Sequence, residues 1–327
     1  MLRNALIYLS ESDLAKNVVT RTPLRRMSRR FVPGMKVEDF LRAAKEANAA
    51  ELQVTGNYLG EAEHDERTAR DAVNAYLEIL DGIKAQGLDG NISVKPSQVG
   101  LEIGKDFFKE NIRALLDRAR DADIFVRWDM ESSDWTQATL DPFEEMWVEG
   151  YHNMGPVLQS YLYRTMDDAK RMNELGARVR LCKGAYAEPP EVAFQDKAEV
   201  DRNFIDVSKV LMTDGNYPAL ATHDEDIIRV LKEFAREEGI GTERFEFQML
   251  HGVRRDLQQQ LRREGYNVRV YVPFGESWYP YLMRRLAERP ANMLFFVGSV
   301  VRDSPLSFLW PGGNKNKEEG KGQERGA

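Results

Sequence analysis

Cysteine occurs once in 327 residues, at Cys182, which excludes an intramolecular disulfide and any Cys-built zinc or iron–sulfur site. A lone thiol fits a reducing compartment. The four histidines, His64, His152, His223 and His251, show no metal-ligand spacing and no His-Glu-x-x-His, so no metal is expected. No apolar run approaches the ~20 residues that a membrane helix needs. The first apolar run, Ala5–Leu9, breaks at once into Ser10-Glu11-Ser12-Asp13, which is not the shape of a secretory signal. Positive charge is short as well. Lys and Arg number 46 against 53 acids, the net charge is −7 and the pI is near 5.4. That balance argues against nucleic acid as the main partner. A Gly-x-Ser-x-Gly elbow, the dinucleotide glycine fingerprint and the P-loop are all missing. Gly100-Leu-Glu-Ile-Gly104-Lys105-Asp106 fails the P-loop by spacing and by its final residue.

What is present is an alternation. Short β-rich runs stand at Leu52–Thr55, Asn91–Val94, Ile124–Trp128, Val157–Tyr161, Val179–Leu181, Ala219–Ala221, Phe245–Phe247 and Val268–Tyr271. Amphipathic helical patterns lie between them, among them Glu66–Gln86, Phe107–Arg120, Met166–Leu175, Val200–Thr213, Glu225–Glu238 and Arg254–Glu264. Strands alternating with helices predict βαβ units and a parallel sheet. Eight units in this length favour an α/β fold closed as a (βα)8 TIM-like barrel over an open sheet. The expected organisation is an N-terminal helical extension over 1–45, the barrel over 46–311 and a disordered tail over 312–327, which lacks any large apolar residue. Residues 1–36 carry eight Lys and Arg against Glu11 and Asp13. That segment reads as a solvated helical extension, a contact for an anionic membrane or a transit segment.

Most predicted strands end in a polar residue: Lys95, Asp129, Gln159, Arg180, His223, Gln248 and Tyr271. In a barrel the C-terminal strand ends share one rim, where the chemistry sits. Lys95 closes an apolar strand and suits a carboxylate partner, a Schiff base or a structural ion pair. Arg180-Leu-Cys-Lys183-Gly184-Ala185-Tyr186 sets two cations beside a glycine that lets backbone approach a ligand, which suits an anionic cofactor. Cys182 reads as a packing residue.

The final strand, Val268–Tyr271, is read as turning through Pro273, Phe274 and Gly275 into a helix capped by Ser277, with Pro280 in its first turn and Pro290 as its stop. Tyr281, Arg284, Arg285 and Glu288 stand at i, i+3, i+4 and i+7 and share one face. Two adjacent guanidiniums present forks matched to a carboxylate or phosphate, or else pair with Glu288 on a solvated face.

Together these residues resemble the flavin-dependent proline dehydrogenases over about residues 50–295. The most specific piece is Tyr271-x-Pro-x-Gly followed by Tyr281-Leu-x-Arg284-Arg285-Leu-x-Glu288 and Asn292. Support comes from Tyr58-Leu-Gly-Glu61, Val94-Lys95-Pro-Ser, Asp129-Met-Glu, Leu158-Gln159-Ser-Tyr161, Arg180-Leu-x-Lys183-Gly-Ala-Tyr186 and Ala221-Thr222-His223-Asp224. Asn57 departs from the pattern, since members often carry an acid there.

The resemblance implies a distorted barrel whose eighth helix sits above the mouth. It implies oxidation of L-proline to 1-pyrroline-5-carboxylate with FAD, reoxidation by a membrane quinone (ubiquinone or menaquinone) and a downstream pyrroline-5-carboxylate dehydrogenase. It places the enzyme in the cytoplasm or, in a eukaryote, the mitochondrial matrix, with peripheral contact at the inner membrane left open. Arg284, Arg285 and Lys95 would hold the substrate carboxylate, and Glu288 would partner Lys95 or the substrate end of the helix. Tyr281 and Leu250 would pack on the ring. Asp129 and Tyr271 would hydrogen-bond at the back of the site, and Glu61 would be a mobile partner for Arg284. Arg180 would sit near the flavin N5 atom, and Gln159, Lys183, Gly184, Ala185, Tyr186, Thr222, His223 and Gln248 would bind FAD. The length matches single-activity members, without room for the aldehyde dehydrogenase domain of the bifunctional proteins. Two other readings stand beside it: a Schiff-base aldolase at Lys95 or Lys183, and a non-catalytic flavin or amino-acid binder.

Overall fold

A computed structural model of the chain describes residues 29–60 and 65–288, and for residues 284–288 it describes the backbone alone. The chain divides into two compact units. One is Phe31–Glu276; of the described residues, Arg29, Arg30 and Ser277–Glu288 belong to the other.

The larger unit is a closed, all-parallel eight-stranded barrel. Its strands are β1 Gln53–Tyr58, β2 Gly90–Val94, β3 Val126–Trp128, β4 Met154–Gln159, β5 Arg180–Cys182, β6 Ala219–Ala221, β7 Glu246–Leu250 and β8 Asn267–Phe274. Each pairs with the next, and β8 pairs with β1 from Gln53↔Arg269 to Tyr58↔Phe274. Helices α1 Val37–Ala49, α2 Glu66–Gln86, α3 Lys105–Asp121, α4 Ser133–Val148, α5 Thr165–Leu175, α6 Lys197–Asp214, α7 Glu225–Glu237 and α8 Arg255–Arg263 belong to the same unit.

Local chemistry sets the helix ends. Asp65, Asp196 and Asp224 are N-caps whose carboxylates accept backbone N–H groups of α2, α6 and α7. Gly87 ends α2 at φ 59°, a left-handed turn that glycine adopts without a Cβ penalty. The helix least legible in sequence is α4, because Pro142 lies inside it. Proline costs a helix about 3 kcal/mol. Phe143, Leu140 and Met146 are buried, and Phe143 packs edge-on against Trp128 at 5.6 Å, so tertiary burial offsets that cost.

Helix α1 packs against β1, β8 and α2. Phe40 stacks on Phe274 with centroids 5.5 Å apart, and a Cβ at Gly56 would come within 2.8 Å of the Phe40 ring. The helix preceding β1 therefore fills the outer slot between β8 and β1 that a helix following β8 takes in a regular barrel. Strand β8 continues through Pro273 and Phe274, which corrects the expected turn. The turn begins at Gly275, φ 131°. Proline is tolerated because β7 ends at Leu250. The missing N–H of Pro273, on the same edge as the Tyr271 carbonyl that takes the His251 N–H, lies beyond its neighbour's last ladder bond.

The strands alternate with period two, and the two faces differ in chemistry. Val54, Ile92, Val94, Val126, Trp128, Leu158, Leu181, Leu220, Phe247, Val268, Val270 and Val272 join one apolar core with the helices. The residues between them point inward and are largely polar: Thr55, Asn57, Asn91, Ser93, Arg127, Gln159, Arg180, Glu246, Gln248, Arg269 and Tyr271. Barrel interiors are more often filled by Val, Ile and Leu. A polar lumen carries a desolvation cost that only internal pairing offsets.

In the second unit, helix α9 spans Trp278–Glu288, with Pro280 in its first turn. Tyr281, Arg284, Arg285 and Glu288 fall on it at the spacing of one face. The side chains of Arg284, Arg285 and Glu288, together with Glu61, His64, the stop at Pro290, Asn292, residues 1–28 and the tail, lie outside the described residues. Among the described residues no helix is long and apolar enough to cross a membrane.

Candidate active site

The lumen holds its polar groups in two layers. The one nearer the N-terminal strand ends is built from Arg127, Glu246, Gln248 and Arg269. Arg269 donates from Nε to Glu246 Oε1 at 2.9 Å and from Nη1 to the Val54 carbonyl at 2.9 Å. Gln248 donates to the same carboxylate. Burial pushes the Glu246 carboxyl upward, but the charge and hydrogen bonds of Arg269 outweigh it and hold the group below the usual range. Arg127 donates to the carbonyls of Pro156 and Arg178. Gly155, its register partner on β4, leaves room: a Cβ there would lie 2.8 Å from Arg127 Nη1.

The second layer lies further toward the C-terminal rim: at β3 and β8 its members Asp129 and Tyr271 follow Arg127 and Arg269 by two residues, ~6.6 Å along the strand. Arg180 donates from Nη1 to Asp129 Oδ1 at 2.7 Å and to Ser93 Oγ at 3.0 Å. Ser93 Oγ donates to the same Oδ1 at 2.6 Å, and the Tyr271 hydroxyl donates to Asp129 Oδ2 at 2.8 Å. The Arg180 guanidinium lies 5.3 Å from the Tyr271 ring centroid. Burial, then the negative charge of Asp129, raises the Tyr271 phenol well above its ordinary pKa, so it stays a donor. Arg180 is 4 % exposed, yet among the described residues its Nε and Nη2 have no partner, and neither does Oε1 of Gln159, 3 % exposed. Buried polar atoms without partners are uncommon and mark a place for a ligand or for water.

The other expected residues of the barrel unit lie on its strands or on the segments that follow them. Lys95 follows β2 directly and donates from Nζ to the Gly60 carbonyl at 3.1 Å. Lys183 is ion-paired with Asp201 at 2.5 Å and Asp224 at 3.1 Å. Gly184 has φ 104°, and a Cβ would fall 2.4 Å from the Tyr161 ring. Ala185 and Tyr186 are exposed on the segment after β5. Thr222 is buried and its Oγ1 accepts the Asp224 N–H. His223 Nε2 accepts the Leu250 N–H at 2.9 Å, which requires that nitrogen to be unprotonated. Arg180, Gln248 and Tyr271 are not at the C-terminal ends of their strands: the first begins β5 and the others lie inside β7 and β8. They reach the lumen because they face inward.

Several residues here carried no role in the sequence reading. Ser93 bridges Arg180 and Asp129; the period-two pattern Asn91 and Ser93 on β2, continued by Lys95 just after it, was the signal for it. Asn57, the departure from the family pattern, donates from Nδ2 to the Ser93 carbonyl at 3.0 Å, a bond no carboxylate can make. Tyr76 donates to the same carbonyl at 2.9 Å. Glu131 accepts from Ser97 N at 3.0 Å and Ser97 Oγ at 2.5 Å, and burial raises its carboxyl despite those bonds. Among the described residues no group of three His, Cys, Asp or Glu could hold a metal ion.

A sequence model of the proline dehydrogenase family matches residues 40–297. "Proline dehydrogenase 1" of Bacillus subtilis subsp. natto is 37 % identical over 302 residues, covering 92 % of this chain and all of the relative. The proline dehydrogenase of Deinococcus radiodurans is 36 % identical over 306 residues, with 92 % and 98 % covered. The barrel also resembles the crystal structure of proline utilization A (PutA) from Bdellovibrio bacteriovorus inactivated by N-propargylglycine. There the TM-score is 0.78 at 26 % identity, over 90 % of this chain and 36 % of that one. A closed parallel barrel with a polar lumen, matched along nearly its whole length by these relatives, belongs to the proline dehydrogenase family.

Proposed function

We propose that this chain oxidises L-proline to 1-pyrroline-5-carboxylate using bound FAD, whose electrons pass on to a membrane quinone, ubiquinone or menaquinone. A pyrroline-5-carboxylate dehydrogenase would take the product. The observation that carries the reading is the Arg180 guanidinium, held by Asp129 and Ser93 through one nitrogen while two others stay buried and unpartnered. A flavin ring fits such a place, because it offers acceptors to those donors and a donor to the orphaned Gln159 oxygen. The close backbone at Gly184 suits the same cofactor. Gln159, Arg180, Gly184, Ala185, Tyr186, Thr222 and His223 would hold it. Lys183 and Gln248 would do so from behind, through their carboxylate partners. When bound, FAD supplies the hydride acceptor.

The protein's own residues prepare the substrate. Hydride leaves the carbon beside the ring nitrogen only when that nitrogen has a free lone pair. Arg284, Arg285 and Lys95 fix the carboxylate and, as cations, favour the neutral amine over the ammonium. The proton goes to water. Asp129 keeps Arg180 oriented, and Tyr271 and Ser93 keep Asp129 oriented. Tyr281 and Leu250 would pack on the ring, Glu288 would orient Lys95, and Glu61 would pair with Arg284.

Anaerobic addition of L-proline to the purified protein should bleach a flavin absorbance band. A colourless protein, or a yellow one that L-proline leaves oxidised, overturns the reading. Arg285→Lys keeps the charge but loses the fork, so KM for L-proline should rise on the order of 10²-fold. A fall in melting temperature with KM unchanged would make Arg285 a structural partner instead.

A further inference from the structure

The loop after β2 differs from ordinary barrel loops, because Pro96–Gly100 is buried along its whole length. It is tied down at every residue able to be tied. Pro96 fixes its own φ and restricts Lys95 before it. Ser97, 1 % exposed, gives its backbone N–H to Glu131 Oε2 at 3.0 Å and its hydroxyl to Oε1 at 2.5 Å. Gln98 donates to the Tyr58 carbonyl at 3.2 Å. Gly100 N–H closes a turn on the Ser97 carbonyl, and Leu101 N–H bonds the Pro96 carbonyl. Glu131 itself is 9 % exposed and stands two residues after Asp129.

A carboxylate with both oxygens committed to one serine is not placed to take a proton from substrate. Its bonds instead join two loops: the one that carries Lys95 and the one that begins at Asp129. Lys95 has a flexible four-carbon stem, so the position of its ammonium depends on how firmly its backbone is held. The β2 ladder holds it on one side. Pro96 and the Ser97–Glu131 contact hold it on the other.

We propose that Glu131 is a positioning residue that, by gripping Ser97, fixes Lys95 where its ammonium meets the substrate carboxylate. This rests on the reading of L-proline as substrate. It predicts an effect on carboxylate binding that passes through Lys95 and depends on hydrogen-bonding shape rather than on charge.

A double-mutant cycle tests it on the flavin-loaded enzyme. Glu131→Ala should raise KM for L-proline roughly tenfold while kcat stays within about threefold and the flavin spectrum is unchanged. Glu131→Gln should recover most of the loss, because its amide can accept from the Ser97 N–H and donate to Oγ. In a Lys95→Ala background, Glu131→Ala should add less than about twofold. The Ser97 amide should exchange its hydrogen faster in Glu131→Ala than in wild type. Should Glu131→Ala fail to fold, Ser97→Ala carries the same cycle with an expected rise of about threefold, since it loses one of the two bonds. The proposal is overturned by an unchanged KM with only a lower melting temperature, by a tenfold effect that persists without Lys95, or by Glu131→Gln behaving like Glu131→Ala. If wild-type flavin is not reduced by L-proline, the functional reading fails and takes the proposal with it. If wild type is reduced and the cycle is additive, the proposal alone fails.

Discussion

The two polar layers of the lumen are two residues apart at β3 and β8 and are finished differently. In the deeper one, Glu246 takes bonds from Arg269 and Gln248, Arg269 also reaches the Val54 carbonyl, and Arg127 spends itself on two carbonyls. Among the described residues of that layer, Nε of Arg127 alone is left over. In the layer nearer the rim, Arg180 uses one nitrogen and leaves two buried without partners, beside the orphaned Gln159 oxygen. The same residue type does opposite work in the two places. A closed network holds the barrel together, and an open one at equal burial keeps donors in readiness for something else. Buried charge is tolerated in both because Arg269 and Arg180 each have a carboxylate in contact, while Arg127 is held by two carbonyls.

The largest effect should come from breaking the closed layer. Glu246→Ala strands Arg269 in the lumen and should cost about 3–5 kcal/mol of stability. Chemical denaturation reads that loss directly, and the folded fraction should still be reduced by L-proline. A loss below about 1 kcal/mol would mean that water or a shifted neighbour repairs the layer, and the contrast would blur.

Arg180→Lys probes the open layer. It keeps a cation beside Asp129 and removes the unpartnered donors, so the melting temperature should move little. The rate of flavin reduction by L-proline should fall on the order of 10²-fold, as when a donor to developing charge is lost. A large stability loss with a normal rate would make the two layers equivalent.

The smallest effect is at the rim, where the His251 N–H bonds the Tyr271 carbonyl. Burial, and then the charge of Arg255, lowers the His251 pKa from 6.5 to about 4. Because the folded value is the lower one, the unfolded chain binds the extra proton first. Stability should therefore be complete above about pH 6.5 and drain away as pH falls toward 4. His251→Gln should flatten that slope in a pH series of melting temperatures. An unchanged slope would assign acid sensitivity to other groups.

Much of the barrel was legible before any coordinates. Strand β6 was expected at Ala219–Ala221 and α2 at Glu66–Gln86, and both have those limits. Pro142 hid α4, because the burial that offsets an interior proline comes from Trp128, which is distant in sequence. The end of β8 was misread because Pro273 looked like a stop. Whether a proline breaks a ladder depends on how far the neighbouring strand runs. Of the polar residues read at strand ends, Lys95, Asp129, Gln159 and His223 do close or follow their strands, Arg180, Gln248 and Tyr271 do not, and the layers were not legible.

What the sequence determined alone was the period. The alternation of strands and helices dictates a parallel barrel, and the alternation within strands dictates which side chains face inward, since both follow from local backbone geometry. Which inward charges meet was decided only by closure. Arg180 is 51 residues from Asp129 and 87 from Ser93, and Tyr271 is 142 from Asp129. No local rule links residues so far apart. The stagger of the closed sheet brings them to one height in the lumen, and so decides which guanidinium is fully paired and which keeps donors open.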